Sequence, residues 1–270
     1  MTFDGPLGIA GVGLIGGSIA LRAREAGIDV VGFDTNPAAA DLVNRSVGSL
    51  DALARSSKTL VLALPLDATL AAIDVVRSVD VPDLVLDVAS VKVPVVERSA
   101  GWTKFVPTHP IAGAEQGGAG AARGNLFEGR VWTYVPRDRE RDRAVDAFIQ
   151  VMGARSHPID ADEHDRVLAL TSHLPQVVVT ALAALLSERE IAADLVGSGL
   201  ASTLRLAGSP WDIWEPILKA NGVAIGAALR ELSERLEGLA DDVEAGTLRL
   251  SASYFESARA AYDVLVKPWR

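Results

Sequence analysis

The chain has no cysteine among its 270 residues. That absence excludes disulfides, thiolate zinc sites and cysteine nucleophiles together, and it agrees with a reducing compartment. Histidine is scarce as well: four residues, scattered, with no H-E-x-x-H pattern, so no metal site is expected. The G-x-S-x-G of serine hydrolases is missing. Basic residues are in the minority. With 26 Lys and Arg against 35 Asp and Glu, the net charge is −9, the wrong sign for a nucleic-acid or anionic-membrane surface. No apolar run reaches the roughly 18 uncharged residues of a spanning helix, and the longest candidate, Leu174–Leu186, has only helix length. The opening Met1-Thr2-Phe3-Asp4 lacks the basic start and apolar core of a signal peptide. The expectation is a soluble cytoplasmic chain that meets neither nucleic acid nor membrane.

What is present is ordinary globular material. At 49% hydrophobic and 23% charged, the chain can close a sizeable core, which excludes disorder, collagen-like fibre and coiled-coil rod. Its length, set against a usual domain of roughly 150 residues, suggests about two domains. Short apolar runs at Leu7–Ala10, Val30–Phe33, Leu60–Leu64 and Leu84–Val88 are too continuous for half-exposed strands. They suit a parallel sheet covered on both faces. Helix-like stretches lie between them: Leu14–Ala26 closed by Gly27, Pro37–Arg45, and Ala68–Val76. Strands and helices alternating at this spacing predict βαβ units, hence an α/β doubly wound sheet of Rossmann type. Lys104–Pro107 and Val131–Val135 read as later strands, followed by a charged helix over Arg139–Met152.

From about Asp160 the strand-like runs stop and Ala/Leu-rich helical patterns take over. Ile225, Leu229, Leu232, Leu236 and Leu239 step by four, three, four and three along one helix stripe. After Gly246, Phe255, Ala258, Tyr262 and Leu265 repeat the pattern. Such stripes pack on each other or on a partner subunit, and a homodimer is expected. The division is 1–158 for the sheet domain and 159–270 for an all-α dimerisation domain.

Gly11-Val12-Gly13-Leu14-Ile15-Gly16 follows the first apolar run and opens the first helix, with Asp34 eighteen residues beyond Gly16. A G-x-G-x-x-G string alone is weak. Here it stands between strand and helix, with an acid ending the second strand. Gly11 permits the turn, Gly13 the approach of a pyrophosphate, and Gly16 close packing of the helix on the sheet. Leu14 and Ile15 supply the first N–H groups of a helix whose N-terminus faces the phosphates. The Asp34 carboxylate can accept both ribose hydroxyls and would repel a 2′-phosphate, so NAD is expected over NADP. Pro65, closing the third run, is counted with the cofactor contacts. A tight turn without ligand, a flavin or a nucleotide sugar are the alternatives.

Three further stretches carry candidate chemistry. Ser90, in Asp87-Val88-Ala89-Ser90-Val91-Lys92, stands at the carboxyl end of the fourth run, where it reaches a ligand or caps the next helix. His109, in Thr108-His109-Pro110-Ile111-Ala112-Gly113-Ala114-Glu115, is suited to take a proton from an alcohol near neutrality. Of the other histidines, His157 and His164 lie in charged sequence and read as surface. His173, in Ser172-His173-Leu174-Pro175, is a helix cap or a site residue. Arg205, in an apolar stretch of small residues, pairs with a buried acid or with a ligand carboxylate through its guanidinium fork.

Together these stretches resemble the prephenate/arogenate dehydrogenase family of tyrosine biosynthesis. The matching residues are Gly11-x-Gly13-Leu14-Ile15-Gly16-Gly17-Ser18, Asp87-x-x-Ser90-Val91-Lys92 and His109-Pro110-Ile111-Ala112-Gly113-x-Glu115. Beyond them lie Ser172-His173-Leu174-Pro175, Arg205-Leu206-Ala207-Gly208-Ser209, and Trp214 nine residues after Arg205. The resemblance runs over nearly the whole chain, in a short form without the regulatory ACT domain or fused chorismate mutase of some relatives. It implies that His109 takes the proton of a cyclohexadiene 4-hydroxyl while Ser90 hydrogen-bonds that hydroxyl and orients His109. Arg205 holds a carboxylate, hydride leaves carbon 4 for NAD, and the ring carboxylate departs as CO2. It also implies that His173, Gln176, Gly113, Glu115 and Trp214 line the substrate. Many relatives carry histidine where Gln176 stands, which leaves prephenate (keto) and arogenate (amino) both open.

Two other readings compete. Gly117-Gly118-Ala119-Gly120-Ala121 and Lys219-Ala220-Asn221 echo β-hydroxyacid dehydrogenases, which give a base at His109 no role. A non-catalytic NAD sensor would keep the fold without the chemistry.

Overall fold

Four of the apolar runs become neighbouring strands. In the computed structural model, which describes residues 5–114 and 116–267, β1 (Leu7–Ala10), β4 (Thr59–Leu62) and β5 (Leu84–Asp87) are buried along their whole length. With β2 (Val30–Phe33), β3 (Arg45–Ser46) and β6 (Phe105–Val106) they form one parallel sheet of order β3-β2-β1-β4-β5-β6. The order reverses between β1 and β4, the switch point beyond whose carboxyl ends doubly wound sheets bind ligands. Helices α1 (Leu14–Glu25), α2 (Leu50–Arg55), α3 (Leu66–Val79) and α4 (Val93–Arg98) make the crossovers. Alternate strand residues feed two apolar clusters, one around Ile9, Leu86, Trp132 and Phe148, the other around Leu62, Val85, Ile73 and Phe105.

Two expectations change at this sheet. Pro37–Arg45 was expected to be helical; instead a 3-10 turn covers Pro37–Leu42 and the chain enters β3. Asn44 is the cause. Its side chain accepts from Val30 N–H (3.0 Å) and its N–H donates to the Val30 carbonyl (3.0 Å), drawing a run too short to sustain a helix onto the sheet edge. The strand expected over Lys104–Pro107 is shorter, Phe105–Val106, and a strand that the sequence did not suggest follows it. β6 closes the first sheet, and after Pro107 the chain opens a second one, β7 (Thr108–Pro110), β8 (Val131–Tyr134) and β9 (Arg155–Pro158), in that order. β7 runs antiparallel to β8 and β8 parallel to β9, with α5 (Arg139–Val151) as crossover.

After β9 the described chain is helical, as expected: α6 (Ala161–Leu168), α7 (Leu174–Ser187), α8 (Ser198–Leu204), α9 (Trp211–Ala220), α10 (Gly222–Glu244) and α11 (Arg249–Leu265). A π turn, Ala169–His173, joins α6 to α7. Pro175 explains it, since a proline there cannot donate to the carbonyl four residues back and its ring crowds that group. Contacts divide the chain into two compact units: one runs to Leu168 and takes in Gly208–Asn221, the other comprises Ala169–Ala207 and the residues from Gly222 onward. The sequence reading placed α6 and α9 with the helical half; their contacts are with the sheet unit.

Among the described residues, Ala161–Ser187 is long and apolar enough to cross a membrane by length and composition alone, with 28% of its apolar window buried. Counting Leu174–Leu186 by itself missed this, because α6 and the π turn extend the helix. In the second unit α10 and α11 pack on each other through Gly238, Leu250 and the Arg235 guanidinium over the Tyr254 ring. The stripe read on α11 points elsewhere, with Phe255 80% and Leu265 65% exposed.

Candidate active site

The glycine loop leaves β1 through Gly11, at φ 84°, where a Cβ would stand 2.3 Å from the Ala63 carbonyl. At Gly16 a Cβ would stand 1.9 Å from the Gly11 carbonyl, which fixes how closely α1 rides on the loop. Nothing lies within 4 Å of a Cβ built on Gly13, and no side chain caps α1 there. The first-turn N–H groups at Leu14 and Ile15 therefore suit an anionic diphosphate. Asp34 accepts from Val12 N–H (2.6 Å) and Asn36 N–H (2.7 Å), which sets its carboxylate against the loop. Pro65 begins α3 just past β4, exposed on the same edge. These residues fit a dinucleotide with its diphosphate on the α1 N-terminus and its ribose diol on Asp34.

The next two strand ends are tied by a buried polar knot. Asp87 ends β5 and pairs with the Lys92 ammonium; the same carboxylate accepts from Thr108 N–H (2.9 Å) and Ala89 N–H (2.9 Å). Lys92 also donates to the Thr108 carbonyl (2.7 Å). Burial pulls the Lys92 ammonium below its ordinary value, against the raising influence of Asp87. Ser90 and His109 sit on the segments that this knot joins. Ser90 is half-buried and does not cap α4, since Lys92 occupies the N-cap position. The cap is Asp165 of α6, whose carboxylate takes the N–H groups of Lys92 (2.7 Å) and Val93 (2.9 Å). The reading of Ser90 as a helix cap is thereby excluded.

His109 is half-buried in the middle of β7, paired with Thr133, which donates to its carbonyl (3.0 Å). Its ring meets His164, which the sequence placed on the surface. That reading is corrected: His164 is 0% exposed, with Nε2 3.0 Å from His109 Nδ1 and Nδ1 2.7 Å from the Asp165 carboxylate. Burial pushes the Asp165 carboxyl up, but the bonds from His164 and from Val93 and Lys92 N–H outweigh it and hold it below its ordinary value. Asn221 donates to the Asp165 carbonyl (2.7 Å). A signal for this group was available. Ala161, His164, Asp165 and Leu168 are the buried residues of α6, an i, i+3, i+4, i+7 face that turns two polar side chains inward. His157 is exposed, as read.

Gly113 is exposed beyond β7, Glu115 lies outside the described residues, and Trp214 packs from α9 on the cluster around Phe105. These join Ser90 and His109 in the sheet unit. His173, Gln176 and Arg205 belong to the helical unit. His173 is buried in the π turn and caps no N–H. Gln176 is buried on α7 and donates to the Leu206 carbonyl (2.8 Å) and Thr180 hydroxyl (3.3 Å). That bond sets the amide beside the 3-10 turn Arg205–Gly208, where Arg205 is exposed. Lys219 and Asn221 do not form a pair, since Lys219 reaches Glu215 (2.7 Å) while Asn221 serves Asp165.

Comparisons with known proteins give the family. The model of the prephenate dehydrogenase nucleotide-binding domain matches residues 18–157, and that of the prephenate dehydrogenase dimerization domain matches residues 160–253. A Streptomyces niveus protein described as probable prephenate dehydrogenase NovF is 30% identical over 260 residues, covering 86% of this chain and 69% of that protein. The structure of A. aeolicus prephenate dehydrogenase with hydroxyphenyl propionate and NAD+ superposes with a TM-score of 0.87 at 24% identity, over 95% of this chain and 96% of that one. Synechocystis arogenate dehydrogenase superposes at 0.82 and 24% identity, over 97% and 100%. At these identities the structural likeness is one of fold.

Proposed function

The chain belongs to the prephenate dehydrogenase family, and from that premise we propose that it oxidises and decarboxylates prephenate to 4-hydroxyphenylpyruvate with NAD, a step of tyrosine biosynthesis. The observation that carries the reading is His109 on the carboxyl edge of the nucleotide-binding unit, its ring anchored through Nδ1. Bound NAD supplies the hydride acceptor; Gly11, Gly13, Leu14, Ile15, Gly16, Asp34 and Pro65 are the residues that hold it. His109 takes the proton of the ring hydroxyl as the carbonyl forms, and the Ser90 hydroxyl orients that group. Arg205 pairs with a substrate carboxylate. Gly113, Glu115, His173, Gln176 and Trp214 are the other residues assigned to the substrate. Loss of CO2 makes the ring aromatic, so the protein need supply little beyond orientation and a proton acceptor.

Gln176, an amide where many relatives carry histidine, keeps a second reading open, arogenate as substrate. The description of residues 160–253 as a dimerization domain, with the exposed apolar residues of α7 and α11, supports a homodimer; a cytoplasmic location is part of the same proposal. The test is absorbance at 340 nm with prephenate or arogenate and NAD or NADP. NADH formation from prephenate is the expected result. A flat trace with both substrates would contradict the assignment, and faster turnover with NADP would remove the role given to Asp34.

A further inference from the structure

His164 and Asp165 have no part in the proposed reaction, yet the structure aligns them with His109. A carboxylate only accepts, so the 2.7 Å contact between Asp165 Oδ1 and His164 Nδ1 places a proton on that nitrogen. The His164 ring is 0% exposed, and the Asp165 carboxylate is already satisfied by this one proton together with the N–H groups of Lys92 and Val93, so the geometry is that of a neutral ring. His164 Nε2 is then an acceptor, and the 3.0 Å contact is made by a proton on His109 Nδ1. The lone pair of His109 falls on Nε2.

We propose that His164, held by Asp165, is a positioning residue that fixes the tautomer and ring orientation of His109, so that His109 presents Nε2 as its basic nitrogen. The logic is that of a carboxylate orienting a catalytic imidazole, lengthened by one ring. Asp165 adds a second tie. By capping α4 at Lys92 and Val93, it couples the ring chain to the segment bearing Ser90. One carboxylate thus sets the hydroxyl-bearing segment and the basic nitrogen together. The catalytic part rests on the reading of His109 as the base; the tautomer does not.

The chain holds only four histidines, which makes the test tractable. Two-bond 15N–1H correlation on 15N-histidine protein with NAD, at neutral pH, reads each ring's tautomer, assigned through single substitutions. His109 and His164 are both expected with the proton on Nδ1. A proton on His109 Nε2 alone, or His164 protonated on both nitrogens, overturns the proposal. In kinetics, His164→Phe keeps the ring volume and removes the acceptor. It should lower kcat about 10–100-fold while the KM for NAD is unchanged. His164→Gln, whose amide oxygen can take the same bond, should recover part of the loss. Unchanged kcat in His164→Phe refutes the positioning role. If that variant does not fold, the tautomer of the unaltered protein decides alone. If neither prephenate nor arogenate is turned over, the substrate reading fails while the tautomer result still judges this one.

Discussion

The two compact units treat their apolar residues in opposite ways. In the sheet unit, β1, β4 and β5 are buried end to end and Trp132, Phe127 and Phe148 are wholly enclosed. In the helical unit, the buried residues among those described are Ala169, His173, Gln176, Ile225 and Ala228, whereas Leu195, Val223, Phe255, Val264 and Leu265 are each more than 60% exposed. Burying a large apolar side chain contributes roughly 1.5–3 kcal/mol. The first unit thus has its own core, and the second leaves large apolar residues exposed. The chemistry follows the same division. Asp87, Lys92, His164 and Asp165 sit where burial holds them, and Arg205, proposed to bind a carboxylate, is exposed in the other unit.

The largest test of this contrast is Phe148→Ala. Its ring is fully enclosed and edge-on to Trp132 at 5.6 Å, so truncation should cost about 3–5 kcal/mol by urea unfolding; a loss under 1 kcal/mol would deny the first unit its independent core. Next in size is Arg205→Ala. Removing a charge-assisted fork of about 1.5–3 kcal/mol should raise the KM for prephenate about 10–100-fold and leave NAD affinity intact. An unaltered KM would take substrate binding away from the second unit. Phe255→Asp puts a charge on the exposed face of α11. Light scattering should find the unaltered chain dimeric and the variant shifted toward monomer; two monomers would mean that the apolar surface serves no self-association.

The smallest effect concerns Asp242, which ties α10 to α11. Bonds from the Thr247 hydroxyl and Ser251 N–H, among others, lower its carboxyl from 3.8 to about 2. A carboxylate depressed in the folded state contributes stability above its unfolded value and loses it as pH falls through the folded one. Asp242→Asn should therefore melt slightly lower at pH 7, with the difference shrinking between 3.8 and about 2. A constant difference across that range would show that the charge contributes nothing.

The sheet was legible because continuous apolar runs and a glycine loop are local signals, each complete within a few residues. Gly11 and Asp34 fell at the ends of β1 and β2, where their sequence context put them. What escaped depended on pairs distant in sequence. Asn44 makes β3 only by meeting Val30, and Pro107 divides two sheets only because β8 waits for the second. His164 was misread for a similar reason. Its neighbours are charged, and only the helical spacing shared with Ala161, Asp165 and Leu168 shows that it points inward. Positions across a buried contact leave no mark beside either partner. That is why Ser90 and His109 stand out as candidates in the sequence and the buried residues beside them do not.

The most direct trial of the account compares prephenate turnover by the unaltered chain and by His109→Asn, under saturating NAD and prephenate, with NAD binding measured alongside. Removal of a positioned base should cut kcat about 10²–10⁴-fold while NAD affinity stays the same. A variant that turns over prephenate at close to the original rate would show that His109 is not the proton acceptor.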